Sequence, residues 1–341
     1  MFTLLAMNAL KNLVVFLISG IMAISSFSAP VRTEPTNPNS NTGNRFLPDY
    51  GETLISAHRV GKGNAPENTL MAIENCLESD TQINNLEMDL QLTKDGRIVV
   101  FHDLFLDDLT DSVEVFGKKN TAILSKTYEE LRQLNMAENF KVDGEYPYRG
   151  LRGDDIPDDL RIMTIEEVFN FVEQRAPGKF TYVLEVKYPS PWMTKIVDGL
   201  YDALVERNLC DRVIVGSFWN DTGRYIDQKY GGKLMRSANP AEIIKFYGSF
   251  KMKKELNPEK LGFMSLQLPY YWDDGRLLLG NLGQTEFIDY AHKYGISVQY
   301  WTVDKEEDAR DLYIGGADML MTDHPERIEK VINEMKTEKA S

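Results

Sequence analysis

Cysteine, histidine and positive charge are all scarce in this sequence of 341 residues. The two cysteines, Cys76 and Cys210, lie far apart without metal-type spacing, which excludes a disulfide framework and a cysteine-based metal site. A single bridge between them stays open, but two free thiols, one on a helix and one near a strand start, are the favoured interpretation. The four histidines form no sequence cluster of the kind that binds zinc.

Basic residues are too few for a nucleic-acid-binding surface to be a reasonable first hypothesis. There are 38 lysines and arginines against 52 aspartates and glutamates, for a formal net charge of −14. Because binding to a phosphate backbone is driven by clustered positive charge, we expect no nucleic-acid partner. The acidic excess is compatible with carboxylates gathered around a cation, although a well-solvated surface explains it equally well.

A hydrophobic run long enough to span a bilayer comfortably is also lacking. The longest run, Leu13–Ile24, follows Lys11 and precedes small residues and a Pro/Asn/Thr-rich stretch. This layout is typical of a secretory signal peptide, so residues 1–29 are predicted to be a signal peptide and 30–50 a polar spacer. We therefore expect an exported protein, periplasmic or secreted, without stable membrane insertion after cleavage. An uncleaved anchor is the alternative.

From residue 51 to 341 the chain predicts one α/β domain. Apolar residues make up 43% of the chain, enough for a sizeable core, and short β-rich segments alternate with amphipathic helical ones. Several segments are apolar up to a polar end, as expected of parallel strands covered on both sides. Strands are predicted at 53–57, 85–90, 97–102, 181–187, 212–217, 233–236, 261–267, 297–301 and 318–322. Helices are predicted at 68–79, 127–135, 164–175, 191–207, 219–230, 239–250, 284–294, 304–314 and 325–336.

Two features depart from a regular eightfold repeat. Nine strand candidates exceed by one the number that an eight-stranded barrel needs, so either 233–236 or one arm of 85–102 should be irregular. Residues 104–162 are polar, rich in Asp and Gly, and contain one convincing helix, 127–135. Long connections of this kind lie at the catalytic face of barrels, so this segment is predicted to be an insertion over the mouth.

Charged side chains stand at the ends of the first strands, which meet at one mouth in a barrel. Glu87 and Asp89 lie two residues apart on one strand, so both carboxylates face the same way and repel each other unless a cation lies between them. Glu185 ends a later strand and supplies a third carboxylate. Oxygen ligands favour a hard divalent cation, Ca²⁺ or Mg²⁺, over zinc.

Two of the four histidines, His58 and His102, also follow predicted strands. The turn at 94–96 folds the chain back, which brings His102 close to the carboxylates. Two imidazoles beside a phosphate can act as general base and general acid. Lys187, two residues after Glu185, should point into the same mouth and contact a phosphate oxygen. For each of these residues alone, a helix cap or a surface ion pair is the simpler explanation; together they favour a site. The remaining histidines, His292 and His324, are predicted to be structural.

At these residues the sequence resembles the glycerophosphodiester phosphodiesterase family. The matching segments run in the family's order from about residue 53 to 326 and are specific as an ordered set. They are 57–59 with 66–69; 86–89, 92–96 and 100–103; 184–187; 216–218; 301–304; and 320–323.

The resemblance implies a TIM-type (β/α)8 barrel with an insertion after the third strand. It also implies metal-dependent hydrolysis of glycerophosphodiesters, such as glycerophosphocholine and glycerophosphoethanolamine, to sn-glycerol 3-phosphate and an alcohol. By the resemblance, His58 and His102 are the acid/base pair and Arg59 and Lys187 contact the phosphate. Glu67 orients the glycerol or the metal shell, and Trp301, which could otherwise pack in the core, is a wall of the substrate pocket. Glu87, Asp89 and Glu185 are the implied metal ligands.

One departure from the family and two rival functions remain. The family usually has glycine directly after its His-Arg pair, whereas Val60 stands here, so the loop to Glu67 is expected to run differently. A lysophospholipase D-like or other lipid phosphodiesterase would need an apolar surface at the mouth. A non-catalytic binding barrel should have lost a carboxylate or histidine of the set, and this sequence has kept them all.

Overall fold

In the computed structural model, which describes residues 44–49, 51–270 and 285–340, eight parallel strands form a nearly closed barrel. The strand order is β6-β5-β4-β2-β1-β9-β8-β7, and a parallel bridge between Ser237 and Ser265 links the two ends. Eight parallel strands with outer helices are the TIM-type architecture, so the predicted fold class is confirmed. The strands are β1 Leu54–Ala57, β2 Asn85–Leu92, β3 Ile98–Val100, β4 Thr181–Val186, β5 Val213–Gly216, β6 Met235–Arg236, β7 Ser265–Pro269, β8 Ser297–Trp301 and β9 Met319–Thr322.

Helices connect most successive barrel strands and cover the outside of the barrel. In the described part of the chain, none of them combines the length and apolar character that crossing a bilayer requires. The helices are α1 Leu70–Glu78, α2 Ser112–Phe116, α3 Tyr128–Leu131, α4 Ile165–Arg175, α5 Trp192–Arg207, α6 Asn220–Tyr230, α7 Pro240–Lys251, α8 Thr285–His292, α9 Glu306–Gly315 and α10 Pro325–Ala340.

The supernumerary strand is β3, which lies outside the barrel. It pairs antiparallel with the end of β2, with Leu90 opposite Val100 and Leu92 opposite Ile98, as the predicted turn at 94–96 requires. Gly96 supplies the positive φ of 86° that closes this turn. The hairpin returns the chain to the level of Asp89, whose carbonyl accepts from Phe101 N–H at 2.9 Å. His102 therefore begins the insertion at the barrel mouth.

The segment from about 104 to 162 is a compact structure made of two short helices and four 3-10 turns. A small apolar core holds it together and joins it to β3 through Val99 and Phe101. The predicted helix at 127–135 is shorter in the structure, where α3 spans Tyr128–Leu131. A capping box of Thr127 and Glu130 starts this helix, but after one turn the chain bends so that Leu134 can reach the small core.

Two further boundaries differ from the prediction. The strand predicted at 261–267 lies at Ser265–Pro269, because Gly262 takes a positive φ of 68° in the turn that precedes it. Residues in the predicted spacer also belong to the barrel: Asn44 and Phe46 are buried, and Phe46 packs among side chains from β4, β5 and β9. The predicted signal peptide, 1–29, lies outside the described residues.

Both thiols are free, in agreement with the favoured interpretation. Cys76 is buried on α1, where its Sγ donates to the Val60 carbonyl at 3.4 Å. Cys210 is half-buried just before β5. Burial raises the pKa of the Cys76 thiol to about 12, so this thiol stays protonated and unreactive.

Candidate active site

Three carboxylates lie at the mouth on neighbouring strands. Glu87 and Asp89 alternate on β2 with the apolar residues Leu86 and Met88, so both acidic side chains point into the barrel. In the parallel pairing of β2 with β4, Asp89 lies directly opposite Glu185. Glu87 and Asp89 are almost completely buried, whereas Glu185 is partly exposed. The structure therefore brings the three predicted metal ligands to one place.

Burial disfavours ionisation of one member of this carboxylate group. Burial and the neighbouring Asp89 raise the pKa of Glu87 well above its usual value. Burial also acts to raise the pKa of Asp89, but Lys187, His102 and Arg59 outweigh it and hold that pKa well below the usual range. Buried oxygen ligands of which one is driven to bind a proton are a fitting donor set for a hard divalent cation.

Lys187 contacts the carboxylates in the structure, whereas the sequence predicted a contact with phosphate. Its Nζ lies 2.7 Å from Asp89 Oδ1 and 2.8 Å from Glu185 Oε2. The ammonium thus occupies part of the space between these two acids. In the described part of the chain, no three acidic, imidazole or thiol groups are arranged to hold an ion as they stand. A divalent cation bound by these carboxylates would compete with the Lys187 ammonium for Asp89 and Glu185.

His58, directly after β1, is held by a carboxylate from the last barrel strand. Its Nδ1 lies 2.7 Å from Oδ1 of Asp323, which follows β9. Its Nε2 faces Glu87, 3.9 Å from Oε2. Lys62 Nζ contacts the other oxygen of Asp323 at 3.3 Å. Burial lowers the pKa of His58, and its hydrogen bond to Asp323 only partly offsets this.

His102, directly after the hairpin, has a matching partner in the next residue. Its Nδ1 lies 2.6 Å from Asp103 Oδ1. Gln91, the next inward-facing residue of β2 after Asp89, donates to the carbonyls of Phe101 and Asp103 at 3.0 and 2.7 Å. This amide fixes the chain on both sides of the histidine. Burial, and after it the positive charge of Lys187, lowers the pKa of His102 to about 4.

These aspartates determine which nitrogen of each imidazole carries the proton. Hydrogen bonds and charge from the partner histidines lower the pKa of Asp103 and of Asp323 below the usual value, although burial opposes this. An ionised carboxylate can only accept, so Nδ1 of each neutral imidazole must donate. Nε2 of His58 and of His102 is then the unprotonated nitrogen, available as a base.

Arg59 and Glu67 form an ion pair across the first loop. Arg59 Nη1 donates to both oxygens of Glu67, at 3.0 and 3.1 Å, and the backbone N–H of Arg59 donates to Glu87 Oε2 at 2.8 Å. Asn68 donates to Asp89 Oδ2 at 3.2 Å. The loop therefore connects directly to the carboxylates at two points.

The backbone of this loop shows how the chain accommodates Val60 at the position where the family usually has glycine. Val60 has a φ of 63° and is completely buried, so a β-branched side chain stands where left-handed backbone favours glycine. Gly63 then passes so close to His324 that a Cβ would lie 2.2 Å from its ring and 2.7 Å from the Asp323 carbonyl. The loop reaches Glu67 despite the valine, because Gly61, with a φ of 79°, and Gly63 provide the turn and the close approach.

Trp301, at the end of β8, is partly exposed and makes an edge-to-face contact with Phe218, with 5.9 Å between ring centroids. Phe218 follows β5, so the two rings come from well-separated strands of the same mouth. They form an apolar surface at the rim. This position suits the predicted pocket wall.

Sequence reasoning gave no role to four residues that the structure brings into the site: Asp103, Asp323, Asn68 and Phe218. All four lie in the segments that resemble the family; Asp103 directly follows His102, and Asp323 directly follows β9. These positions were a usable signal in the sequence, but only the fold brings Asp323 against His58, 265 residues away along the chain.

The other two histidines have structural contacts. His292 Nε2 lies 2.8 Å from the buried Asp318 at the end of the barrel opposite the mouth. His324 packs against Gly63, and its backbone N–H donates to Thr322 Oγ1 at 3.0 Å. Neither imidazole contacts the three carboxylates in the structure.

Comparison with known proteins gives the same family over most of the chain. Residues 58–327 match the sequence model of the glycerophosphoryl diester phosphodiesterase family. Glycerophosphodiester phosphodiesterase 1 of Bos taurus is 36% identical over 259 residues, which are 72% of this chain and 70% of that protein. A glycerophosphodiester phosphodiesterase of Caldanaerobacter subterraneus is 28% identical over 279 residues, which are 81% of this chain and 96% of that protein.

A solved structure shows the same fold. The structure of a phosphodiesterase from Oleispira antarctica in complex with the product sn-glycerol-3-phosphate superposes with a TM-score of 0.60 at 21% identity. The match covers 85% of this chain and 99% of that one. The chain belongs to the glycerophosphoryl diester phosphodiesterase family.

Proposed function

We propose that this protein is a divalent-metal-dependent glycerophosphodiester phosphodiesterase that releases sn-glycerol 3-phosphate and an alcohol. The observation that carries the proposal is the meeting of three carboxylates and two aspartate-held histidines at one barrel mouth. Its relatives carry the same activity in their names, and one structural neighbour holds sn-glycerol-3-phosphate as product. The chain is thus an enzyme of the phosphoric diester hydrolase class.

The cation that we propose is Ca²⁺ or Mg²⁺, held by Glu87, Asp89 and Glu185. When bound, it would neutralise charge that develops on the phosphoryl oxygens. Arg59 and Lys187 are the cationic side chains that we assign to the phosphate. Because Arg59 is paired with Glu67 and Lys187 with the carboxylates, both are held in the mouth before substrate arrives.

The two histidines move the protons in the proposed mechanism. One Nε2 takes the proton of the glycerol 2-hydroxyl, which attacks phosphorus and forms a cyclic phosphate. The other imidazole, protonated when the anionic phosphate lies beside it, gives its proton to the leaving alcohol oxygen. Water then opens the cyclic phosphate with the roles reversed. Asp103 and Asp323 each hold the Nδ1 atom of one histidine. Nε2 of His102 and of His58 therefore points away from the aspartates and is left to exchange protons with the substrate.

The aromatic rings of Trp301 and Phe218 are assigned to the substrate pocket wall. We favour soluble glycerophosphodiesters over lysolipids as substrates, because the relatives are named glycerophosphodiester phosphodiesterases and one structural neighbour holds sn-glycerol-3-phosphate. Export to the periplasm or extracellular space, as the N-terminal sequence indicates, remains part of the proposal.

The test is release of sn-glycerol 3-phosphate from glycerophosphocholine by the purified protein, with and without chelator. We expect release that chelator abolishes and that added Ca²⁺ or Mg²⁺ restores. The His102→Ala and Glu87→Ala variants should each lose at least about 100-fold in kcat, the lower end of what one proton transfer contributes. Lys118→Ala, an exposed position in the insertion, is the control and should leave kcat unchanged.

Two substrates test the details. A diester that lacks the vicinal hydroxyl should not be cleaved, and its cleavage at the normal rate would contradict internal attack. Micellar lysophosphatidylcholine should be a poorer substrate than glycerophosphocholine, and the reverse order would assign the protein to the lipid phosphodiesterases. A folded, metal-loaded protein that cleaves neither would support a binding barrel instead.

A further inference from the structure

A cluster of lysines lies at the end of the barrel opposite the mouth. Helix α7 follows β6 at the mouth side and ends at Lys251, before the chain turns toward the start of β7. Residues 251–254, hereafter the basic turn, have the sequence Lys-Met-Lys-Lys. The catalytic carboxylates and histidines lie at the other ends of the strands, so the basic turn takes no part in the site described above.

The basic turn has a defined backbone. Lys253 adopts a left-handed φ of 51°, and its N–H donates to the Phe250 carbonyl at 2.9 Å. The N–H of Lys254 donates to the Ser249 carbonyl at 3.0 Å, and Tyr290 of α8 donates its hydroxyl to the Lys254 carbonyl at 2.6 Å. These hydrogen bonds fix the backbone of the basic turn, and its side chains point into solvent.

The charge of the turn is opposite to that of the whole protein. Lys251, Lys253 and Lys254 are all exposed, and in the described part of the chain no acidic side chain forms an ion pair with any of them. The next residue, Glu255, is already paired with Lys293 at 2.6 Å. In a chain of net charge −14, this is a local reversal of sign that favours an anionic partner.

Met252 stands among these lysines with 70% of its surface exposed. The exposed fraction is 50% for Val205 and 47% for Ile314, which lie near the ends of other barrel helices. An apolar side chain held outward between lysines has the composition of a segment that enters the boundary between lipid head groups and acyl chains. Lysines alone would be satisfied by solvent or by any soluble anion. The exposed methionine among them favours a lipid surface, which offers an apolar layer as well as charge.

The N-terminal segment joins the barrel beside the same turn. The Asn44 side-chain amide donates to the carbonyls of Met264 and Gly295, at 2.9 and 3.1 Å, just before β7 and β8. Gly295 closely follows Lys293, the partner of Glu255. The first described residues therefore lie at the same end of the barrel as the basic turn.

We propose that the basic turn docks on a bilayer that contains anionic phospholipids, with Met252 entering the interface. The three lysines would face the lipid phosphates, and the catalytic mouth, at the opposite end of the barrel, would face water. This orientation leaves the mouth open to soluble diesters. The docking proposal does not depend on the reaction that the mouth catalyses.

An environment-sensitive fluorophore on Met252→Cys in the full chain tests the proposal, with Cys210→Ser in the background because Cys76 is buried. Vesicles of phosphatidylcholine with phosphatidylglycerol should shift the emission to the blue, and phosphatidylcholine vesicles should not. A fluorophore on Val115→Cys, an exposed position of the insertion at the mouth, should not respond to either. High salt should reverse the shift, because it screens charges at the surface.

Two double variants that remove the same charge distinguish binding by the basic turn from an effect of the protein's net charge. Lys251→Gln with Lys254→Gln should raise the lipid concentration for half-maximal shift roughly thirtyfold, since each lysine near an anionic surface contributes about fivefold. Lys118→Gln with Lys119→Gln, which removes the same charge from the insertion, should change it less than twofold. No shift at Met252→Cys, or equal losses in the two double variants, overturns the proposal. An equal response to soluble polyglutamate would assign the turn to an acidic protein and also overturn it.

Discussion

At the scale of single residues, the two histidines of the site are built alike but differ in their partners. His102 is held by its neighbour in sequence, Asp103, whereas His58 is held by Asp323 from the other end of the domain. His58 also faces Glu87, while His102 lies nearer the positive charge of Lys187. Burial lowers the pKa of both imidazoles, but the charged groups that act on each of them are different.

The nature of the leaving group distinguishes the base from the acid. With glycerophosphocholine, His58→Ala and His102→Ala should each lower kcat by about 10²–10⁴-fold. With a p-nitrophenol leaving group, which departs without a proton, the variant that lacks the acid should recover most of this loss. The variant that lacks the base should not recover. Steady-state rates on the two substrates are the measurement, and equal recovery of both variants would contradict the assignment of separate roles.

The paired carboxylates predict an unusual stability effect at Glu87. The raised pKa of Glu87 means that the metal-free folded state holds a proton that the unfolded chain releases. Stability should therefore fall as pH rises above the unfolded pKa of about 4.3. Glu87→Gln should remove this fall and raise the metal-free Tm at pH 8 by roughly 2–4 °C, the effect of about 1 kcal/mol in a domain of this size.

Differential scanning fluorimetry with and without Ca²⁺ or Mg²⁺ measures this effect independently of activity. The metal should raise the Tm of the wild-type protein and much less that of Glu87→Gln. Glu129→Gln, at an exposed position on α3, is the control and should behave like the wild type. A metal-free Glu87→Gln protein that melts well below the wild type would show that the carboxylates do not repel each other.

At the scale of secondary-structure elements, a partly buried ion pair attaches a helix to two strands. Glu173 of α4 accepts from both terminal guanidinium nitrogens of Arg212, at 2.8 Å each, and from the Tyr182 hydroxyl at 2.7 Å. Burial acts to raise the pKa of Glu173, but these partners lower it below its usual value. The pair joins the end of α4 to the starts of β4 and β5.

Glu173→Gln should cost about 2 kcal/mol of unfolding free energy at pH 7, because a nearly buried arginine loses a charged partner. A carboxylate with a depressed folded pKa stabilises above the unfolded pKa and loses this contribution as pH falls through the folded value. Urea denaturation at pH 7 and at about pH 3.5 should therefore show a cost that shrinks in acid. Glu206→Gln, an exposed control on α5, should cost under 0.5 kcal/mol. A cost for Glu173→Gln that is independent of pH would contradict the assignment.

At the scale of the whole molecule, residues that precede the first strand close the end of the barrel opposite the mouth, hereafter the barrel floor. Phe46 is completely buried against Val183, Ile214 and two methionines of β9. The Asn44 amide holds this segment to the turns before β7 and β8. The mouth at the other end is therefore built over a filled interior.

Phe46→Ala should lower the unfolding free energy by about 3–5 kcal/mol, the usual cost of deleting a buried phenylalanine. At temperatures where the variant remains folded, kcat should stay near the wild-type value, because the carboxylates and histidines lie at the opposite end of the barrel. Arg45→Ala removes an exposed ion pair with Asp211 and should cost about 1 kcal/mol or less. Equal effects of the two changes in urea denaturation would contradict the role of Phe46.

Local patterns predicted the elements well where they are long and the flanking signals are strong. The helix predicted at 164–175 begins in the structure at Ile165, since Thr164 and Glu167 form a capping box. The helix predicted at 127–135 is only one turn long, because packing of Leu134 in the small core ends it early. Strand β7 begins four residues later than predicted, because the turn at Gly262 precedes it. Periodicity carries no information about such tertiary contacts.

The sequence by itself determined the alternation of strands and helices, the hairpin at 94–96, and the placing of His58, Glu87, Asp89, His102 and Glu185 at strand ends. These follow from apolar periodicity and turn chemistry, which act over a few residues. Only the tertiary structure decided that Asp323 holds His58, that Lys187 lies between carboxylates and that Phe46 fills the barrel floor. Each depends on residues far apart in sequence that meet when the barrel closes, because strand register and burial are properties of the whole sheet.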